Sequence, residues 1–440
     1  MRSIAVIGLG KLGQPMAVAF AQAGHNVIAY DVDADVRASV GSKVPTVDEP
    51  GLAEEMLTCD SLAVADSVQE CVEHSEIAYV MVPTPSLPDG SFTNKYVVQA
   101  VAEIGEAIKC IGADTYTVVV CSTVMPGSMD GDIVETLERF SRRSVDEAGV
   151  GGLSLVYSPQ FIALGTVLND MRNPDLFLVG TYQKTGSDLV IEIGKSVHRR
   201  SDVHIAKLTP TEAEIVKIGV NTYITMKISF ANALGQVAAA VRGVDGYLVT
   251  RTIGHDSRIG SKYITAGGPY GGPCFPRDTD AFTAFVQQAT GDESMAALAS
   301  NTAVINDAVV EAAVEATYKL APKTGGVPYV LILGLGYKPD TSVSEESYGM
   351  AVVDMLLDYG CKVFVYDPVI PCPKGCVEVP EAALATTTRH TVAMVCSPEK
   401  RYADLRYDSV VDVWGIVPND HANLLVNYSG GNGSHLLHVR

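Results

Sequence analysis

Residues 3–31 read SIAVIGLGKLGQPMAVAFAQAGHNVIAYD, and this stretch decides the fold. Residues 4–7 form a short apolar strand, GLGKLG follows, and residues 14–23 have helix-forming composition before Gly24 ends the run. Gly8, Gly10 and Gly13 permit a tight turn, close approach of backbone to a pyrophosphate, and tight packing of helix on strand. The next apolar run, NVIAYD, ends in Asp31, eighteen residues beyond Gly13, where a dinucleotide-binding unit sets its ribose acid. A lone G-x-G-x-x-G is weak evidence, but the strand before it, the helix after it and the acid beyond it make a dinucleotide site the expectation. Asp31 favours NAD over NADP, because a carboxylate accepts from a free 2′-hydroxyl and repels a 2′-phosphate. The bland alternative for Asp31 is an ordinary turn or cap acid.

Outward from this unit, strands are legible at IAYVMVPTP and YTVVVCSTV with the helical run YVVQAVAEIGEAIK between them. That alternation predicts a parallel, doubly wound sheet, placed in a first domain over residues 1–205. From Thr211 to about Val241 there is no proline and apolar residues recur at helical spacing, which predicts one helix. Its length, roughly 45 Å at 1.5 Å per residue, suits a bridge between domains and a dimer surface. The glycine- and proline-rich segment GHDSRIGSKYITAGGPYGGPCFPRD follows, too specific in composition for a plain linker.

A second alternating unit runs from VPYVLILGLGYKP through GMAVVDMLLDYG and CKVFVYDP to VVDVWG. Its GLG lacks the third spaced glycine and has Lys338-Pro339 instead. The expected architecture is α/β: two Rossmann-like doubly wound parallel sheets joined by a long central helix. Its domains are residues 1–205, a central helical domain over 206–310, and a second Rossmann-like domain over 311–440.

Bulk properties exclude several classes of function. The 440 residues carry a net charge of −19, which opposes a nucleic-acid backbone or an anionic membrane. No apolar run approaches the roughly 18 residues of a membrane span, and the N-terminus enters a strand directly without a signal-peptide pattern. A cytoplasmic location is expected. Nine scattered cysteines fit reduced thiols better than a disulfide framework. Cys372 with Cys376, and His435 with His438, lack complementary pairs at zinc-site spacing, so no metal is expected.

Cys274 lies in YGGPCFPRD, where glycines give backbone access and Arg277 could stabilise a thiolate. The other eight cysteines read as small core hydrophobes. Lys217 and Asn221, four apart on the long helix, share a face and could converge on an oxyanion, although spacing alone fits a solvated polar face better.

In order along the chain stand GLGKLG, VPTPSLPDGS, STVMPGS, YSPQFIALG, the helix with Lys217 and Asn221, GHDSRIG, GGPCFPRD and GLGYKPDTS. This ordered set resembles the nucleotide-sugar dehydrogenase family over nearly the whole chain. Phe275 and the RIG element are similar to its UDP-glucose branch. The resemblance implies NAD as cofactor, a nucleotide sugar as substrate, a homodimer or higher oligomer, and a four-electron oxidation through a Cys274 thiohemiacetal and thioester. It also implies roles for individual residues. Lys217 and Asn221 would hold the oxyanion, Asp278 would move protons and activate water, Thr123 would lie near the nicotinamide, and Gln160 occupies a further catalytic position. Leu12, Arg37, Pro83, Thr84, Ser122 and Arg277 match cofactor contacts beside the glycines and Asp31. Phe161, Ile162, Tyr263, Gly271, Phe275, Lys338 and Arg401 match substrate contacts, and Arg258 matches an arginine given across the dimer.

The pattern breaks at three places. Gln160 stands where the family has glutamate, and an amide cannot take a proton at neutral pH. Glu345 stands near an expected arginine, and the acid expected after DGS is replaced around Thr93 and Asn94. Three functions are therefore weighed: UDP-glucose oxidation to UDP-glucuronate; a related sugar (GDP-mannose or a UDP-N-acetylhexosamine) or a reaction stalled at the thioester; and a non-catalytic nucleotide-sugar-binding paralogue.

Overall fold

The computed structural model describes residues 1–145 and 152–428, so His435 and His438 lie outside the described residues. The chain divides into two compact units, Met1–Gly219 and Val220–Arg440.

The first unit is a sheet of eight strands. These are β1 (Ser3–Ile7), β2 (Asn26–Tyr30), β3 (Leu62–Val64), β4 (Ile77–Val80), β5 (Tyr116–Val120), β6 (Leu153–Tyr157), β7 (Leu176–Gly180) and β8 (His204–Leu208), in the order β3-β2-β1-β4-β5-β6-β7-β8. The order reverses between β1 and β4, and in such sheets ligands bind beyond the strand ends at that switch point. Neighbours pair in parallel except β6 and β7, which meet through one antiparallel bridge, Tyr157 with Gly180. β4, β5 and β6 are buried at every residue, as expected of strands covered on both faces. The helix Gly13–Gln22 is buried at nine positions, from Gly13 to Ala21, which explains its nearly unbroken apolar composition.

The second unit begins within the long helix Pro210–Ala240. Its strands are β9 (Lys323–Thr324), β10 (Val327–Leu333), β11 (Lys362–Tyr366), β12 (Val377–Glu378), β13 (Val392–Val395), β14 (Tyr407–Val411) and β15 (Ala422–Val426). They run β12-β11-β10-β13-β14-β15 in parallel, with β9 antiparallel on β10. The helices Gly246–Gly254, Phe275–Thr290 and Glu293–Leu320 complete the part that bears the glycine-rich segment. Among the described residues no helix is long and apolar enough to cross a membrane.

The two glycine turns are built alike. Gly8 (φ +99°) and Gly334 (φ +92°) both adopt the left-handed region, and Leu9 N and Leu335 N donate to Asp31 and Asp367 respectively, each at 2.7 Å. A Cβ on Gly13 would lie 1.9 Å from Gly8 O. The second turn has the same close approach, made by Gly349, whose Cβ would lie 2.3 Å from Gly334 O. The third glycine is thus present but displaced along the sequence into the helix Tyr348–Asp358. Gly349→Ala must push helix and turn apart, and it should lower unfolding stability by about 1–3 kcal/mol. Urea denaturation checks this; a loss under about 0.5 kcal/mol, the usual range for a neutral surface change, would refute the packing role.

Candidate active site

The first turn leaves room that the second fills. A Cβ on Gly10 would meet nothing within 4 Å, whereas one on Gly336 would meet Lys338 O at 3.0 Å and Thr341 O at 3.2 Å. The turn Gly8–Gly13 therefore keeps open the space a pyrophosphate needs, beside the start of the helix that Leu12 precedes. Asp31 Oδ2 accepts from Leu9 N at 2.7 Å and Oδ1 from Asp33 N at 2.9 Å. A carboxylate has about four acceptor sites, so it retains capacity for a ribose hydroxyl. Arg37 is brought to the same corner, donating to Asp31 O at 2.7 Å while lying over the Tyr30 ring.

The loops after β4 and β5 are zipped together. Ser122 Oγ accepts from Val82 N at 3.0 Å and donates to Val82 O at 2.7 Å, and Thr84 Oγ1 donates to Thr123 O at 2.7 Å. Pro83, between them, is exposed. Lys217 is 7% exposed; its ammonium donates to Gln160 O at 2.9 Å and lies 4.7 Å from the Phe161 ring centre. The Gln160 side chain turns away to Ser158 O at 3.1 Å. Lys217 thus holds a backbone carbonyl that any residue at position 160 would supply. Phe161 and Ile162 pack against the two cores of this unit. One turn before Lys217, Glu214 is fully buried and accepts from Gly127 N at 2.6 Å and Met129 N at 2.8 Å.

In the second unit, Cys274 is exposed and caps the helix Phe275–Thr290, whose second residue is Pro276. Unsatisfied N–H groups at a helix start favour anions, whether thiolate or oxyanion. By contrast, burial pushes the thiols of Cys71, Cys121 and Cys396 upward, as inert core cysteines require. The reading of all eight other cysteines as core residues fails at Cys110, which is exposed near the end of the amphipathic helix Lys95–Ile111, and at Cys372 and Cys376, which are half-buried. Asp278 is 2% exposed; Asn221 Nδ2 donates to its Oδ2 at 2.6 Å, and Arg277 Nε lies 3.7 Å from Oδ1. Asn221, Asp278, Arg277 and the Cys274 backbone therefore form one cluster, with Asp278 N donating to Cys274 O at 2.8 Å. Such a cluster can hold a nucleophile at the surface and a carboxylate in reserve beneath it.

The loop leading to Cys274 is clamped by two asparagines. Asn232 accepts from Gly267 N at 2.8 Å and donates to Gly268 O at 3.1 Å; Asn306 accepts from Tyr270 N at 2.8 Å and donates to Tyr270 O at 3.1 Å. Gly268 rests on the Trp414 indole so closely that a Cβ would come within 2.2 Å of it. A Cβ on Gly271 would lie 2.2 Å from Glu346 O, and Gly272 (φ +81°) faces the Tyr337 ring. Phe275 is half-buried at the first helical turn. Arg401 pairs with Glu399 at 2.9 Å and reaches Asp340, two residues after Lys338, at 3.5 Å. Lys338 lies beside the Tyr337 ring. Tyr263 is exposed with φ +64°, and Arg258 is exposed and pairs with Asp256 at 2.6 Å. Glu214, Asn232, Asn306 and Trp414 are absent from the residues singled out in the sequence. Polar side chains at 214 and 232 inside a largely apolar helix were the available signal.

The NAD binding domain of the UDP-glucose/GDP-mannose dehydrogenase family matches residues 2–201, and that family's central domain matches residues 211–308. The chain belongs to this family. The UDP-glucose 6-dehydrogenase AglM of Haloferax volcanii is 33% identical over 369 residues, 83% of either chain. The GDP-mannose 6-dehydrogenase of Azotobacter vinelandii is 28% identical over 369 residues, 83% of this chain and 80% of its own. A solved UDP-glucose dehydrogenase from Pyrobaculum islandicum superposes with a TM-score of 0.87 at 30% identity, covering 98% of both chains. This family member is a nucleotide-sugar dehydrogenase with NAD as cofactor, and the open first turn with its acid fits that cofactor. Gly10→Ala should leave stability within about 0.5 kcal/mol yet weaken NAD binding at least ~10-fold, about 1.4 kcal/mol. Urea denaturation with NAD titration tests both, and unchanged NAD affinity would remove Gly10 from the site.

Proposed function

We propose that the protein oxidises the C6 alcohol of UDP-glucose to the carboxylate of UDP-glucuronate. The observation that carries this reading is the exposed Cys274 at a helix cap, with Asp278 buried one turn on and hydrogen-bonded to Asn221. Overall the alcohol loses four electrons as two hydrides, and water supplies the second carboxylate oxygen. Gly8–Gly13 and Asp31 would hold NAD, which when bound would supply the hydride acceptor, one NAD for each of the two hydrides. An aldehyde does not readily give up hydride until a nucleophile makes its carbon tetrahedral, and the Cys274 thiolate is the group suited to that addition. The resulting oxyanion needs hydrogen-bond donors, the role that the family resemblance gives to Asn221 and Lys217. Asp278 takes the proton of the water that opens the thioester. Gln160 cannot share that task, so the chain's departure at this position falls on hydrolysis rather than on either oxidation.

Incubation with UDP-glucose and NAD should yield two NADH per sugar, and Cys274→Ala should yield one at most. Two NADH from that variant would defeat covalent catalysis, and turnover of GDP-mannose alone would reassign the substrate. A slow thioester would appear as an acyl mass on Cys274, and Gln160→Glu, which adds a carboxylate and keeps the backbone carbonyl that Lys217 holds, should shorten its lifetime.

A homodimer belongs to the same reading. Tyr223, Phe230 and Val237 recur every seven residues on the helix Pro210–Ala240 and are 60%, 54% and 60% exposed. A stripe of this kind on a long helix is suited to a second copy of the chain. Light scattering should give at least a dimer, and Phe230→Glu should shift it towards monomer; a monomeric parent protein would overturn this.

A further inference from the structure

Outside the residues given roles above, Glu214 is a fully buried carboxylate spanning two backbone amides of a loop that precedes it by more than eighty residues. Its two oxygens take Gly127 N and Met129 N separately, at 2.6 and 2.8 Å. That loop begins at the end of β5 and carries Ser122 and Thr123; Gly127, at φ +94°, lies four residues beyond Thr123. On the helix, Glu214 is one turn before Lys217, whose ammonium is fixed on Gln160 O after β6. One helical turn therefore grips the loops following two adjacent strands.

We propose that Glu214 is a positioning residue for the dehydrogenase reaction, setting the Thr123 loop at a fixed distance from the Lys217 ammonium. The inference rests on the reading that Thr123 and Lys217 serve catalysis. A hydrophobic residue could fill the same volume, but it would leave two buried N–H groups without acceptors and the loop without a tether. Only a carboxylate offers two acceptor atoms at once; glutamine turns one of them into a donor that opposes an amide N–H.

Geometry errors of about 1 Å at an active site can cost 10²-fold in rate. Glu214→Gln is accordingly expected to lower kcat roughly 10- to 100-fold with NAD affinity within about 3-fold, because Asp31 and the glycine turn are untouched. Glu214→Asp keeps both acceptors on a shorter stem and should fall between. The charged groups facing Glu214 from the turn after the loop are Asp130 and Asp132, and burial together with these anions pushes its carboxyl up to about 7. Protonation would put an O–H against an amide N–H, so activity depends on the deprotonated form and is lost as pH falls through about 7. Glu214→Asp should retain an acid limb in kcat, and Glu214→Gln should lose the Glu214 contribution to it.

The measurements are kcat, KM for the nucleotide sugar, NAD affinity and the kcat–pH profile, taken well below each variant's Tm. A selective fall in kcat with the altered acid limb supports the proposal. If Glu214→Gln fails to fold, a kcat at least about 5-fold below wild type in Glu214→Asp, with NAD affinity retained, supports it. Wild-type kcat in Glu214→Asp together with either wild-type kcat or no folding in Glu214→Gln overturns it, as does a rate loss that merely follows a loss of NAD affinity. The two ideas fail separately: a parent protein that makes no NADH with any nucleotide sugar defeats the dehydrogenase reading, whereas indifferent variants of an active parent defeat only the role of Glu214.

Discussion

A charged, amide or hydroxyl side chain withdrawn from water has to be met by partners of matching geometry, and the helix Pro210–Ala240 carries a row of them. Glu214, Lys217, Asn221, Thr225 and Asn232 are all buried on it. Each fixes something: a loop after β5, the carbonyl of Gln160, the carboxylate of Asp278, the hydroxyl of Thr279, the backbone of Gly267 and Gly268. The helix is consequently more than a spacer. An apolar residue at any of these positions would leave a buried partner on the facing loop or helix unpaired, so each side chain fixes local geometry as well as filling space.

The two glycine turns show how one backbone solution can serve two purposes. Both use a left-handed glycine, a helix glycine pressed against its carbonyl, and an aspartate accepting from the leucine between. They diverge at the middle glycine, open at Gly10 and backed by the chain's own carbonyls at Gly336. Architecture alone would assign a dinucleotide to either; the space left for phosphate separates them.

What could be read in the sequence was what is local. The first turn, Asp31, the long helix and the glycine-flanked Cys274 each depend on residues close along the chain, so spacing and composition sufficed, whereas the exposure of Cys110 escaped them. Gly349 escaped because its partner turn is separated from it by a loop, which no fixed glycine spacing captures. The clamps of Asn232 and Asn306 escaped because their partners lie about 35 residues away, and Glu214 because its partners lie over 80 away. The helix Glu293–Leu320 and β15 also went unread, since apolar runs without strong boundary residues leave their period ambiguous. The antiparallel bridge of Tyr157 with Gly180 is a matter of chain direction, to which residue pattern is blind.

Trp414 is the only tryptophan in the chain, and its ring forms the seat for Gly267 and Gly268 at the root of the loop that ends in Cys274. Its indole nitrogen is buried and, among the described residues, makes no hydrogen bond. Indole emission responds to the polarity around it, and excitation beyond the absorption of the 19 tyrosines draws light from this one ring beneath the two glycines. The enzyme thus carries an intrinsic optical label for the seating of that loop, readable without attaching a dye.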